Sequence, residues 1–79
     1  MRYYFDTIIN AGERQLFDAD GQELLGLDAV RDEAMGILCE ITPDALGNRD
    51  RLNLGVAVRD GRGAVVLHAN LSLIAERPV

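Results

Sequence analysis

The spacing of apolar residues predicts an α+β domain: a four-stranded, mainly antiparallel sheet in the order β-β-α-β-β, with one helix packed on one face. Three observations carry that reading. Apolar and polar residues alternate near both ends of the chain, the period lengthens to about 3.6 between Leu27 and Ala45, and Asp60-Gly61-Arg62-Gly63 joins two alternating runs as a hairpin. With 79 residues, 48% of them apolar and 27% charged, residues 1–79 make one small domain.

Arg2 to Ile9 is rich in aromatic and β-branched residues, which suit a pleated, half-buried surface, and reads as the first strand. Asn10-Ala11-Gly12 supplies residues that tolerate positive φ, so Arg14 to Phe17 returns as a second strand. Asp18-Ala19-Asp20-Gly21 turns the chain again, and Gln22 to Leu25 leads towards the helix. Leu27, Val30, Ala34, Ile37, Leu38, Ile41 and Ala45 share one helical face, with Asp32, Glu33, Gly36 and Glu40 opposite. Gly26 is the expected N-cap, and Asp28, Asp32 and Glu33 put negative charge near the positive end of the helix dipole. Pro43 lacks an N–H and crowds the preceding turn, so the regular helix is expected to end near Thr42, which caps a short extra turn beginning at Pro43. Leu46 to Asp50 is a polar loop. Leu52, Leu54, Val56 and Val58 then point one way, and Asn53, Gly55, Ala57 and Arg59 the other, so this strand has one buried face. Along the last strand Val65, Leu67, Ala69, Leu71 and Leu73 alternate with Val66, His68, Asn70, Ser72 and Ile74, and Arg77-Pro78-Val79 reads as a loose tail.

One helix covers one face of such a sheet. The opposite face then carries Tyr4, Ile8, Asn53, Ala57, Val66, His68, Asn70, Ser72 and Ile74, a mixed surface. A last strand of about eleven residues exceeds the usual length, so part of it is expected to lack a partner within the chain, and an unpaired edge invites another chain. A homodimer or a protein-binding surface follows from that, with a monomer whose last strand is bent and bulged as the alternative. Small domains also gain from association, because their own cores yield little net stability.

Composition narrows the partners. The formal charge is −5, and all eight basic residues are scattered arginines, the pattern a GC-rich coding bias leaves. Nucleic-acid binding draws its affinity from clustered cations that displace counterions, so no nucleic-acid partner is expected. Apolar runs reach four residues, as at Ala64-Val65-Val66-Leu67, far short of the roughly 20 that span a membrane, so no membrane association is expected either. Arg2 leads straight into Tyr3-Tyr4-Phe5 without a leader-like pattern, and Cys39 is the single cysteine. Both features fit a cytoplasmic location.

The candidate chemical motifs have plainer readings. Asp18-Ala19-Asp20-Gly21 resembles part of a calcium loop, but aligning Gly21 with the loop glycine puts Leu16 and Leu27 where the first and closing ligands belong. An Asp-Gly turn is the reading that survives. Gly61-Arg62-Gly63 joins strands, whereas phosphate-cradling glycines lead into a helix. His68 has no second histidine to work with, and Cys39, on the helix flank with Met35 and Leu46, is expected on the other side of the sheet from it. Asn70-Leu71-Ser72 matches a glycosylation sequon but lies within a strand. Asp6, Asp18 and Asp60 are expected near turns or strand ends in solvated roles, and Gly36 on the polar helix face marks either an approach by another chain or drift. No catalytic, cofactor-binding or metal-binding residue is assigned, and the chain is not expected to be an enzyme.

Arg2-Tyr3-Tyr4-Phe5-Asp6, Asp18-x-Asp20-Gly21-x-Glu23-Leu24, Leu27-Asp28-Ala29-x-Arg31-x-Glu33-Ala34 and Val56-x-Val58-Arg59-Asp60-x-x-Gly63 together resemble a family of short uncharacterised alphaproteobacterial proteins, a domain of unknown function. The resemblance covers nearly the whole chain and implies the β-β-α-β-β arrangement without supplying any site residue. The expected role is a non-enzymatic protein–protein interaction module that homodimerises or holds a protein partner. A regulatory or antitoxin-like module linked to DNA binding is the alternative.

Overall fold

In the computed structural model, which describes residues 1–78, the alternating runs become β1 (Arg2–Ile9), β2 (Arg14–Leu16), β3 (Gln22–Glu23), β4 (Arg51–Arg59) and β5 (Val65–Ile74), with α1 (Leu27–Leu46) between the third and fourth strands. Val79, the end of the expected tail, lies outside the described residues. The sheet is antiparallel, in the order β2-β1-β4-β5, and β3 pairs with the other end of the same β1 edge that holds β2. The expected α+β class is thus the observed one, with five strands in place of four. The extra strand is only two residues long, opposite Arg2 and Tyr3, and two residues have no periodicity to read.

The core lies between α1 and the face carrying Tyr3, Phe5, Ile9, Leu52, Leu54, Val56 and Val58, with Val30, Ala34 and Leu38 buried from the helix. Val58 and Val30 are wholly excluded from solvent, a burial worth about 2 kcal/mol for each such side chain. Register accounts for the shared face, since Phe5 lies opposite Val58, Thr7 opposite Val56 and Ile9 opposite Leu54. Leu27, expected on the apolar helix face, is instead 54% exposed. It is the first residue of α1, and the buried positions of the helix begin one turn later, at Val30. Glu33 departs from the polar face in the other direction: it is half-buried and accepts a hydrogen bond from the Gln22 side chain at 3.0 Å.

The helix also runs through Pro43 to Leu46, where an end near Thr42 was expected. Proline removes the bond that would reach the Cys39 carbonyl, and the helix continues without it at this exposed position. Ala45 and Leu46 pack against the core and hold the final turn in place. Gly26 is the N-cap, as expected.

The last strand differs from its expected form too. All of β5 lies along β4, from Arg51 opposite Ile74 to Arg59 opposite Val65, and a register shift at Val58/Arg59 absorbs one extra residue. No stretch of β5 is left without a neighbour on the β4 side. The bulge moves Val65 out of the buried face, where simple alternation had put it, and leaves it 51% exposed.

Candidate functional site

Two edges bound the sheet, and their chemistry is opposite. On the β1 side, the ladder between β2 and β3 is completed by a side chain. The Phe5 N–H donates to Asp18 Oδ2 at 3.1 Å, and the Asp18 N–H donates to Asp6 Oδ1 at 3.0 Å. The other Asp18 oxygen accepts from the Asp20 and Gly21 N–H groups at 3.2 and 3.0 Å, which closes the expected Asp-Gly turn. Gly21 sits at φ +70°, and a Cβ there would lie 2.8 Å from the Tyr3 carbonyl oxygen, so the turn requires glycine.

Asp6 is not near a strand end and not solvated, contrary to expectation. It lies in mid-β1, buried, facing away from the helix, and Arg59 reaches it from the neighbouring β4: Nε donates to Oδ2 at 2.6 Å and Nη2 to Oδ1 at 3.1 Å. The same guanidinium donates to the Asp18 carbonyl at 3.1 Å and lies 5.0 Å from the centre of the Tyr4 ring. Arg59 holds the Asp6 carboxyl below the ordinary carboxylate range, against its burial. Burial also opposes charge on Asp18, but the N–H groups of Gly21, Phe5 and Asp20, with the Arg59 charge nearby, hold that carboxyl low as well. Both carboxylates are therefore ionised acceptors whose oxygens are already engaged by donors within the chain. Such a cluster fixes one edge of the sheet, with each of the four carboxylate oxygens accepting at least one hydrogen bond from within the chain. Asp60 does stand at a turn, as expected, where its side chain accepts from the Arg62 and Ala64 N–H groups at 2.8 and 3.0 Å.

The other boundary is β5. Among the described residues none pairs with its outer edge. The Ala75 N–H donates to the Asp50 carbonyl at 2.7 Å, which makes Asp50 and Ala75 a hydrogen-bonded pair and fixes the alternation along the strand. Leu67, Ala69, Leu71 and Leu73 therefore turn their backbone groups towards β4, and His68, Asn70, Ser72 and Ile74 turn theirs to the open edge. Those four also put their side chains on the face the helix leaves uncovered, where all are exposed. From Val65 to Ile74 the strand contains no charged residue and no proline, which are the usual guards of an edge strand.

His68 thus lies on the uncovered face, opposite Ala57, and Cys39 is exposed on the helix, across the sheet from it. The structure does not bring them together. Gly36 has nothing within 4 Å of a would-be Cβ, and Gly55 leaves room for the Asn70 side chain, whose Oδ1 lies 3.0 Å from a would-be Cβ there. Between β2 and the end of α1, Ile9, Leu16 and Ile41 floor an open groove of about 390 Å³, with Arg14, Glu40 and Asp44 at its rim. No helix among the described residues is long and apolar enough to cross a membrane. Sequence reasoning missed the Asp6–Arg59 pair, and it expected an unpaired edge only where the last strand overran its neighbour, whereas among the described residues the whole outer side of β5 is bare. A carboxylate amid the apolar residues of a strand was the available signal for the first, and the charge-free run at Val65–Ile74 for the second.

A family model described as Domain of unknown function (DUF6894) matches residues 2–72, nearly all of the elements described above. No curated protein and no solved structure matches the chain.

Proposed function

The chain belongs to the DUF6894 family, and from that premise we propose that it acts as a non-enzymatic, cytoplasmic interaction module that takes up an extended segment of a protein on the open edge of β5. The observation that carries this reading is the contrast between a ten-residue edge strand without a charge or proline and a β1 edge closed by β2, β3 and Asp18. An open edge offers a row of N–H and C=O groups to an incoming strand, and alternate side chains give specificity. The engaged oxygens of Asp6 and Asp18 support a structural use of the acidic cluster over acid–base catalysis.

Selection from a displayed library of extended peptides tests the proposal. Uncharged segments with alternating apolar residues should be enriched, and Asn70→Pro should abolish their capture, because it removes an outward N–H while leaving the β4–β5 ladder intact. Peptides that bind equally well to the proline variant would overturn it, as would a selection that enriches nothing.

A further inference from the structure

We propose that one occupant of the β5 edge is a second copy of this chain, paired antiparallel about a two-fold axis at Asn70 so that two five-stranded sheets become one. This rests on the edge reading above and adds the partner and the register. The outward backbone groups belong to His68, Asn70, Ser72 and Ile74, so an antiparallel mate can bond only by setting even-numbered residues opposite even-numbered ones. That parity keeps the two helices on the same side of the joined sheet, and it brings half-buried leucines of both copies together.

Among the registers of that parity, the one centred on Asn70 uses the strand from Val66 to Ile74. It sets Leu67 opposite the partner's Leu73, Ala69 opposite the partner's Leu71, and Asn70 opposite the partner's Asn70. A shift towards the hairpin would recruit Val65, which the bulge displaces. A shift the other way shortens the pairing. Charge permits the union although each copy carries −5. The strand itself is neutral, and each flank balances: Asp60 with Arg62 at one end, Glu76 with Arg77 at the other. Antiparallel pairing brings the Arg62 turn of one copy towards the partner's Glu76. A symmetric edge-to-edge contact of this kind is self-complementary and closes at two copies.

Sedimentation velocity across the micromolar range, with single-cysteine variants, provides the test. The wild-type mass should rise from 8.7 kDa towards twice that value with concentration, and Asn70→Pro should weaken association about thirtyfold through loss of the two hydrogen bonds at the axis. Should the proline variant fail to fold, Asn70→Lys and Asn70→Asp give the same reading: each alone weakens the dimer by like-charge repulsion across the axis, and mixing the two restores it. In a Cys39→Ser background, Asn70→Cys should cross-link to its mate on oxidation and Ser72→Cys should not, because Ser72 faces the partner's His68. A monomer at all concentrations overturns the proposal, as does equal cross-linking from Ser72→Cys. If that monomer still captures displayed peptides in a manner sensitive to Asn70→Pro, self-pairing fails while the edge reading stands; if capture fails too, both fall.

Discussion

The two edges of one sheet show how the same backbone problem can be handled in opposite ways. At β1 the exposed groups are covered by two very short strands, and the gap between them is filled by the Asp18 carboxylate, which Arg59 and Asp6 lock in place. At β5 nothing charged intervenes over ten residues. Side-chain bonds are concentrated where they replace a strand, and the association proposed above is assigned to the edge that lacks them. Mutations on the two edges should therefore separate, with β1-edge changes acting mainly on stability and β5-edge changes mainly on association.

The largest effect is expected at Gly21. Gly21→Ala adds a Cβ at 2.8 Å from the Tyr3 carbonyl oxygen and 2.9 Å from the Tyr4 ring at φ +70°, so urea denaturation should show a loss of about 3 kcal/mol. Full stability in that variant would mean the Asp18 turn does not hold the edge. Asp6→Asn comes next. It leaves Arg59 without its charged partner, and since Arg59 still reaches solvent the expected cost is about 2 kcal/mol.

The acid response sharpens the same comparison. Asp6 and Asp18 both have carboxyls held below the ordinary value of 3.8 in the folded chain, so their contribution is fully present well above that pH and is lost as pH falls through and below it. Asp6→Asn should flatten that part of the stability profile between about pH 5 and pH 2, whereas Ser72→Lys, at the other edge, should leave the profile unchanged. A smaller gain is expected at the β1–β2 turn. Ala11 holds φ at +56°, and Ala11→Gly should raise the stability by about 1 kcal/mol by relieving that strain. Ser72→Lys should have the smallest effect on stability, within about 0.5 kcal/mol, yet it should reduce the sedimenting mass at high concentration.

Much of this architecture is legible in the residues because it depends on local period and turn chemistry. The apolar face from Val30 to Ala45, the alternation of Leu52 to Val58 and the Asp60 turn are each read within a few residues, and the structure has them. What escapes the sequence depends on distant alignment. Asp6 and Arg59 are 53 positions apart and meet because Tyr4 lies opposite Arg59, a register that no local signal encodes. Helix continuation through Pro43 goes with the packing of Ala45 and Leu46 against the core, and the outward turn of Val65 goes with a register shift at Val58/Arg59. The neutrality of Val65–Ile74 is plain in the sequence, but it gains meaning only once β5 is known to be an edge.

Amide hydrogen exchange followed residue by residue, at low and at high protein concentration, tests the contrast between the edges most directly. The Phe5 amide, bonded to Asp18, should be protected at both concentrations, and the amides of His68, Asn70, Ser72 and Ile74 should exchange freely when dilute and become protected together when concentrated. Free exchange at those four positions at every concentration, or exchange at Phe5 as fast as theirs, would contradict the account.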